Sequence, residues 1–430
     1  DRPMPERARI FAKAAQLIYD RADELAEIMT REEGKIRKEA RGEIIKGMNL
    51  MEYFIGEGWR LGGETLPSEM FRTFTYTLRQ PRGVVGVITP WNFPFAIPVW
   101  KIAPALIAGN TAVFKPAPWT PLTATRLVEI LEEAGLPPGV LNMVNGGGVE
   151  AGAPLVNHPD VQAMSFTGST AVGRIINEAC APRMIKVTCE MGGKNPVVVL
   201  DDADVDLAVQ GIFQGAFGST GQRCTATSRR ILTPGIRDEV LSKLKAKMAS
   251  SKMGDGLDAD VTIGPAVSAS QKEQILKGIE RGKAEGATVY AEHHPSPDLD
   301  GHYVPAMIFT GVNADMALAQ KEVFGPVLAV LDAENFEEAI QLANDVEYGL
   351  SSSLYSSDLR SCQRFIEASE VGMVHINSPT IGGEAQLPFG GIKNTGVGDR
   401  EMGHWGMEFF TELKTVFVDW TGAARDTNIY

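Results

Sequence analysis

Cys224 lies in Gly221-Gln222-Arg223-Cys224-Thr225-Ala226, and Glu190 lies upstream in Cys189-Glu190-Met191-Gly192-Gly193-Lys194. A thiolate is a strong nucleophile towards carbonyl carbon, and a carboxylate can activate water against the thioester to which such an attack leads. The two residues are 34 positions apart, so only the fold can bring them together. Alone the pair is weak evidence, because most cysteines are small buried hydrophobes. That plain reading suits Cys180, Cys189 and Cys362. Asn92, in Thr89-Pro90-Trp91-Asn92-Phe93-Pro94, follows an apolar run at the mouth of a βα unit. A preorganised amide there could donate to a developing oxyanion, an effect worth about 3–4 kcal/mol of barrier. An asparagine between prolines is also an ordinary turn residue, so its chemistry depends on Cys224 being near.

The chain has 430 residues, 44% of them hydrophobic, and no apolar run near the roughly 18–20 residues a membrane helix needs. Two or three globular domains are expected. A net charge of −13 disfavours nucleic acid and anionic membranes as partners, while a local cationic pocket could still accept a small anion. Four scattered cysteines build no disulfide framework, and without CxxC or His-x-x-x-His no metal site is expected. With so few scattered cysteines a reducing cytoplasm is the expected location, and no signal-peptide pattern opens the sequence.

From Gly83 onward, short apolar runs alternate with helical stretches. Val84–Ile88, Thr111–Phe114, Val140–Val144, Val161–Phe166 and Ile185–Thr188 read as strands, with Pro121–Ala134 and Ala171–Ala179 among the helices. A second series follows Glu190: Val197–Leu200, Arg230–Thr233, Val327–Leu331, Leu350–Tyr355 and Val371–Ile376. This α/β pattern predicts two parallel-sheet domains in tandem with a boundary near Gly192-Gly193. Cys224 would then belong to the second half and Asn92 to the first, so the site must sit in the cleft between them. Ahead of both, Ile10, Ala14, Leu17, Ile18, Leu25 and Ile28 fall on one helical stripe. Phe71–Leu78 and Phe409–Val418 alternate with period two instead, as strands rich in threonine and aromatics.

Further motifs sharpen the reading. Gly168-Ser169-Thr170-Ala171-Val172-Gly173 follows a strand and opens a helix, so its N–H groups could hold a pyrophosphate; plain N-capping is the alternative. Gly146-Gly147-Gly148-Val149-Glu150-Ala151-Gly152 is a weaker signal of the same kind. These runs, with Phe166-Thr167-Gly168-Ser169 and Glu322-Val323-Phe324-Gly325-Pro326, resemble the aldehyde dehydrogenase superfamily over nearly the whole length.

The resemblance implies two Rossmann-like domains with a projecting β oligomerisation element. Residues 1–62 and 82–192 would form the cofactor-binding domain, 193–395 the catalytic domain, and 63–81 with 408–420 the oligomerisation strands of a homodimer or homotetramer. Relatives usually carry a further N-terminal segment, so this numbering is expected to start inside the domain. The implied reaction is NAD(P)-dependent oxidation of an aldehyde to its acid. Cys224 forms a thiohemiacetal and then a thioester, Asn92 and the Cys224 N–H hold the oxyanion, and Glu190 is the base for hydrolysis. Cys224 should have a depressed pKa or a base within reach. Lys101 and Glu401 match a second proton-relay pair. Thr89, Pro90, Trp91, Lys115, Gly148, Gly152, Phe166, Gly168, Ser169, Met191, Gly192, Glu322 and Phe324 match cofactor contacts, and Phe93, Ile97, Trp100, Arg223, Thr225 and Phe389 the substrate approach.

Two departures bear on specificity. NAD-preferring relatives often carry glutamate where this chain has Pro118, so a 2′-phosphate is not repelled and NADP is expected at least to be accepted. Trp100 replaces the arginine with which succinic-semialdehyde enzymes clamp a carboxylate, which favours a neutral aliphatic or aromatic aldehyde. Against that, Gly-Gln-Arg-Cys-Thr-Ala-Thr-Ser-Arg and Gly-Asp-Arg-Glu-Met-Gly are similar to the α-ketoglutaric-semialdehyde branch, and Gly382-Gly383 should widen the pocket. The alternatives are a coenzyme-A-acylating dehydrogenase, which typically lacks the Glu190 carboxylate, and a non-enzymatic protein on the same fold.

Overall fold

The computed structural model describes residues 2–422 and 424. Two sheets carry the chain, and they divide where the sequence pattern divides. In the first, Val84–Ile88, Thr111–Lys115, Leu141–Met143, Val161–Thr167 and Lys186–Glu190 run parallel, and Gly396–Val397 returns antiparallel beside Lys186–Glu190. The second sheet orders Thr288–His293, Ala306–Thr310, Val327–Asp332, Thr227–Leu232, Asn195–Val199, Ser351–Tyr355 and Met373–Ile376, with only Thr288–His293 antiparallel to its neighbour. Buried strands with helices on both faces read as near-continuous apolar runs, which is why Val197, Val198 and Val199 are all fully buried. Gly192 and Gly193 form the crossing from one sheet to the next.

The N-terminal stripe forms two helices, Met4–Asp20 and Ala22–Glu33, that bury Ile10, Ala14, Ile18 and Leu25. Leu17 and Ile28 are only partly buried. A left-handed Gly34 ends the second helix, and a third, Arg37–Arg60, packs on the helix Ala96–Ala108. Thr73–Pro81 pairs antiparallel with Thr411–Asp419 over nine residues, making a ribbon that leaves Phe74, Leu78, Leu413 and Phe417 exposed. Both strands are shifted from the expected Phe71–Leu78 and Phe409–Val418. Phe409 instead closes the helix Gly403–Phe409 and is buried.

The second series differs from expectation in two places. Thr288–His293 and Ala306–Thr310 are strands that the reading passed over, although Ala-Met-Ile-Phe-Thr is a readable apolar run. The strand expected from Arg230 begins at Thr227 and runs through two arginines. Charge would normally end a buried strand, but Arg229 meets its own requirements. Its guanidinium donates to the carbonyls of Lys194, Leu342 and Ala343 at 2.9, 2.8 and 2.7 Å, tying the domain crossing to the strand that follows Cys224. Arg229→Met would strand three carbonyls in the interior, and the expected loss is about 3 kcal/mol. A Tm several degrees below wild type by calorimetry is the predicted readout, and an unchanged Tm would remove this role.

Candidate active site

Cys224 is presented by a strained turn. Ser219, Thr220 and Gly221 all lie in the left-handed region, at φ 48, 57 and 66°. Such a run is costly for residues with a side chain and persists only where surroundings enforce it. Glu39, from the helix Arg37–Arg60, supplies that enforcement. Its carboxylate accepts the Ser219 N–H at 2.9 Å and the Arg223 guanidinium at 2.9 Å. A Cβ at Gly221 would stand 2.2 Å from the Gly325 carbonyl oxygen, so glycine is required there. Beyond the nucleophile, Asn195 donates to the Cys224 and Ala226 carbonyls at 2.8 and 2.9 Å.

Two cavities meet at this cysteine. One, of about 230 Å³, is lined by Pro90, Trp91, Asn92, Gly168, Ser169, Met191, Gly192, Glu322 and Phe324. The other, of about 670 Å³, is lined by Phe93, Trp100, Arg223, Thr225 and Phe389. Cys224 and Ile97 line both. The larger cavity is walled by Trp100 and Phe389, whose rings lie 5.3 Å apart, and opens beside Gly382 and Gly383. Arg223 does not act on the sulfur, because its guanidinium is committed to Glu39.

Asn92 is buried, and its position comes from a buried ionic cluster. Lys35 donates to the Asn92 carbonyl at 2.6 Å and to Glu43 at 2.6 Å, with Glu33 at 3.3 Å. Glu43 in turn accepts the Phe95 and Ala96 N–H groups at 2.9 and 3.1 Å. The Asn92 amide donates once, to the Gln222 carbonyl at 3.0 Å, which leaves its second N–H free. Among the described residues the Cys224 N–H makes no hydrogen bond either.

Glu190 lines neither cavity. It is buried, one of its oxygens has no partner, and the other lies against Gly390, where a Cβ would stand 2.3 Å away. Burial raises its pKa well above the ordinary carboxylate value, Glu401 raises it further, and Lys101 opposes. Lys101 pairs with Glu401 and donates to Ser165 at 2.9 Å, while the Trp100 indole donates to Glu401 at 2.7 Å. The side chains of Glu190, Lys101 and Glu401 thus form one polar group behind the wall of the larger cavity.

The expectation of a depressed Cys224 pKa is corrected here. Burial pushes the thiol up to about 12, Glu322 and Glu190 add to the rise, and Lys46 opposes it. Glu190, the carboxylate expected to act as the base, is near enough to shift the thiol electrostatically. Cys180 and Cys189 are likewise raised by burial, Cys189 to about 12. In the ligand-free protein, alkylation of Cys224 by iodoacetamide should keep accelerating with pH beyond pH ~10. A rate plateau near neutrality would contradict this environment.

The smaller cavity suits a dinucleotide. The helix Thr170–Cys180 opens there on Ser169, whose hydroxyl accepts the Val172 N–H at 3.4 Å. Gly168, Gly173 and Gly192 keep the wall free of Cβ atoms, and added Cβ atoms would meet Phe166, Met191 and Glu322 at 2.4, 2.3 and 2.3 Å. The buried hydroxyls of Thr89 and Thr167 have no partner. Glu322 accepts the Gly193 N–H at 3.1 Å and is raised to about 7 by burial. Phe324, itself left-handed at φ 55°, meets Trp91 edge-on at 5.4 Å. Lys115 sits apart, donating to the Pro116 and Gly146 carbonyls at 2.8 and 3.1 Å beside Gly152; Gly148 starts a π-helical turn and Pro118 is exposed.

Residues 1–416 match the model of the aldehyde dehydrogenase family. The chain belongs to the aldehyde dehydrogenase family. It is 44% identical to the alpha-ketoglutaric semialdehyde dehydrogenase of Bacillus subtilis, over 96% of this chain and 85% of that protein. To the 2,5-dioxopentanoate dehydrogenase of Saccharolobus solfataricus it is 42% identical, over 97% of this chain and 88% of the relative. Among solved structures, betaine aldehyde dehydrogenase from Staphylococcus aureus in complex with NAD+ superposes with a TM-score of 0.96 at 35% identity, covering 99% of this chain and 85% of that one. The protein is an NAD(P)-dependent aldehyde dehydrogenase. Its two-sheet α/β architecture is that of the family's solved structures.

Sequence reasoning missed the residues that hold the site. Lys35, from the link between the second and third helices, and Glu39, Glu43 and Lys46, from the third, are ordinary surface types by composition. Their Glu39, Glu43, Lys46 spacing puts all three on one helix face, which was the available signal. Gln222 lies inside the Gly-Gln-Arg-Cys run and Asn195 directly follows Lys194, yet neither was given a role of its own.

Proposed function

We propose that the aldehyde is oxidised through a covalent intermediate on Cys224 and released as a free carboxylic acid. The observation that carries this is the position of Cys224 at the junction of the two cavities. Its Sγ bonds to the carbonyl carbon while the carbonyl π electrons move to oxygen, and the oxyanion takes the free N–H groups of Asn92 and Cys224. Ser169, Glu322 and Phe324 would hold NADP or NAD in the smaller cavity, and the bound dinucleotide would supply the hydride acceptor. Loss of hydride from the thiohemiacetal carbon would leave a thioester on Cys224. Water then attacks that carbon, the C–S bond breaks, and the acid leaves.

Glu190 is the base for both proton transfers. A thiol held near pKa 12 is scarcely ionised at neutral pH, so a proton acceptor is required. A carboxylate whose proton affinity is raised by burial accepts such a proton more readily than an ordinary one. Rotation about its side-chain bonds would bring its partnerless oxygen towards the sulfur, and Lys101 with Glu401 would pass the proton onward. This carboxylate also favours water over coenzyme A as acyl acceptor.

Residues 1–62 and 82–192 are assigned to cofactor binding and 193–395 to catalysis. The exposed apolar ribbon at 63–81 and 408–420 supports a homodimer or homotetramer, because among the described residues Thr411–Asp419 pairs on one side only, and such an open edge invites pairing with another copy. A cytoplasmic location suits a thiol nucleophile. The substrate is taken to be a semialdehyde of the α-ketoglutaric type, the activity for which relatives 42–44% identical are named. With Pro118 in place of a ribose-binding carboxylate, NADP is accepted.

Reduced cofactor should form from an aldehyde panel without coenzyme A; a strict coenzyme A requirement would move the assignment to acyl transfer. Cys224→Ala should abolish turnover and retain cofactor binding by calorimetry. Glu190→Gln should slow the steady state and reveal a burst of reduced cofactor, and an unchanged rate would pass the base role elsewhere. For cofactor choice, a kcat/KM advantage of NAD beyond tenfold, about 1.4 kcal/mol, would discard the inference from Pro118.

A further inference from the structure

The larger cavity contains a cation that the chemistry at Cys224 leaves unexplained. Lys46 projects into it from the helix Arg37–Arg60 and, among the described residues, has neither an ion-pair nor a hydrogen-bond partner. Its ammonium lies 5.5 Å from the centre of the Trp100 ring. The other charges near it are spoken for. Glu43, one turn before it, is saturated by Lys35 and two backbone N–H groups. Glu39 is taken by Arg223 and Ser219. Lys38 lines the same cavity but is exposed.

The space around this ammonium is kept open. Gly383 has no side chain, and a Cβ there would stand 3.5 Å from Lys46 Nζ and 3.4 Å from the Phe389 ring. Gly382, at φ +128°, has nothing within 4 Å of where its Cβ would be. Burial draws the Lys46 pKa below its ordinary value, the signature of an ammonium lacking a stable counter-charge, although Cys224 and Glu43 offset part of that. An unpaired cation in a partly desolvated cavity gains most from an anion delivered by the ligand itself.

We propose that Lys46 is the specificity residue that receives the distal carboxylate of an acidic aldehyde whose carbonyl stands at Cys224. This rests on the reading of Cys224 as the aldehyde-binding nucleophile. It accounts for an acidic substrate without an arginine at Trp100: the cation comes from the N-terminal helices and reaches the same cavity across the tryptophan face. The same ammonium repels a quaternary-ammonium aldehyde, so betaine aldehyde is disfavoured by charge although relatives 42% identical carry its name.

The test compares glutaric semialdehyde with pentanal, which have the same carbon chain and differ in the carboxylate. Wild type should favour the acid, and Lys46→Met should cut the acid-to-pentanal ratio of kcat/KM at least tenfold, chiefly through KM. Lys46→Arg should restore part of that ratio, which a merely structural lysine would not require. As a readout independent of turnover, glutarate should protect Cys224 from iodoacetamide in wild type and lose that effect in Lys46→Met. A ratio unchanged in Lys46→Met, or a wild type indifferent to the carboxylate while active on pentanal, would overturn the proposal and leave the dehydrogenase reading standing. Inactivity of wild type on both aldehydes, with no glutarate protection, would overturn both.

Discussion

A single carboxylate holds the nucleophile's turn in a conformation it would not otherwise keep. Ser219, Thr220 and Gly221 are successive left-handed residues, and Glu39 binds the first by its N–H while gripping Arg223 just before the sulfur. Backbone strain of this kind survives only where surrounding contacts over-determine it. Here they come from three directions: Glu39 from the N-terminal helices, the Gly325 carbonyl packed against Gly221, and Asn195 on the Cys224 carbonyl. Everything downstream follows from that restraint. The two cavities share Cys224 only because the turn pushes it into the seam between the sheets.

Buried charge is used for position more than for stability. A buried ion pair rarely gains more than it loses by desolvation. Lys35 nevertheless sits inside the protein with Glu33 and Glu43, and what it achieves is geometric. It holds the Asn92 carbonyl, so the amide faces the smaller cavity, and through Glu43 it caps the start of the helix that carries Ile97, Trp100 and Lys101. The Lys101–Glu401 pair does the same for the back wall, where the Trp100 indole is also tied. Removing one member of either cluster would leave an unpaired charge, so each cluster is fixed as a unit. Lys46 stands out against this background as a cation without an ion-pair or hydrogen-bond partner among the described residues, which is the electrostatic condition for binding an external one.

Much of the architecture was legible because parallel strands buried on both faces leave an unmistakable apolar run. The five parallel strands of the first sheet were located to within a few residues, and the crossing at Gly192-Gly193 was read from the change of series. Errors arose where charge sits inside a strand or where a strand is an edge. Arg229 hid the start of Thr227–Leu232, because nothing local reveals that backbone carbonyls from two distant segments will receive its guanidinium. The shift of Thr411–Asp419 has a similar origin: Phe409 and Phe410 fit a strand pattern locally, but they pack into the first domain's core.

Short motifs and the family resemblance they carry were enough for the reaction class and the α/β architecture, and they picked out the sulfur, amide and carboxylate as site candidates. These depend on motifs only a few residues long, whose chemistry is carried by side-chain type. The tertiary structure alone decided how those groups stand to one another. Glu190 turns to the Lys101–Glu401 group instead of a cavity, and the Cys224 thiol is raised by its burial. Lys35, Glu39 and Lys46 reach the site from a helical segment well over a hundred residues away in sequence from Cys224. Electrostatic environment is a sum over neighbours in space, and chain order does not encode which neighbours those will be.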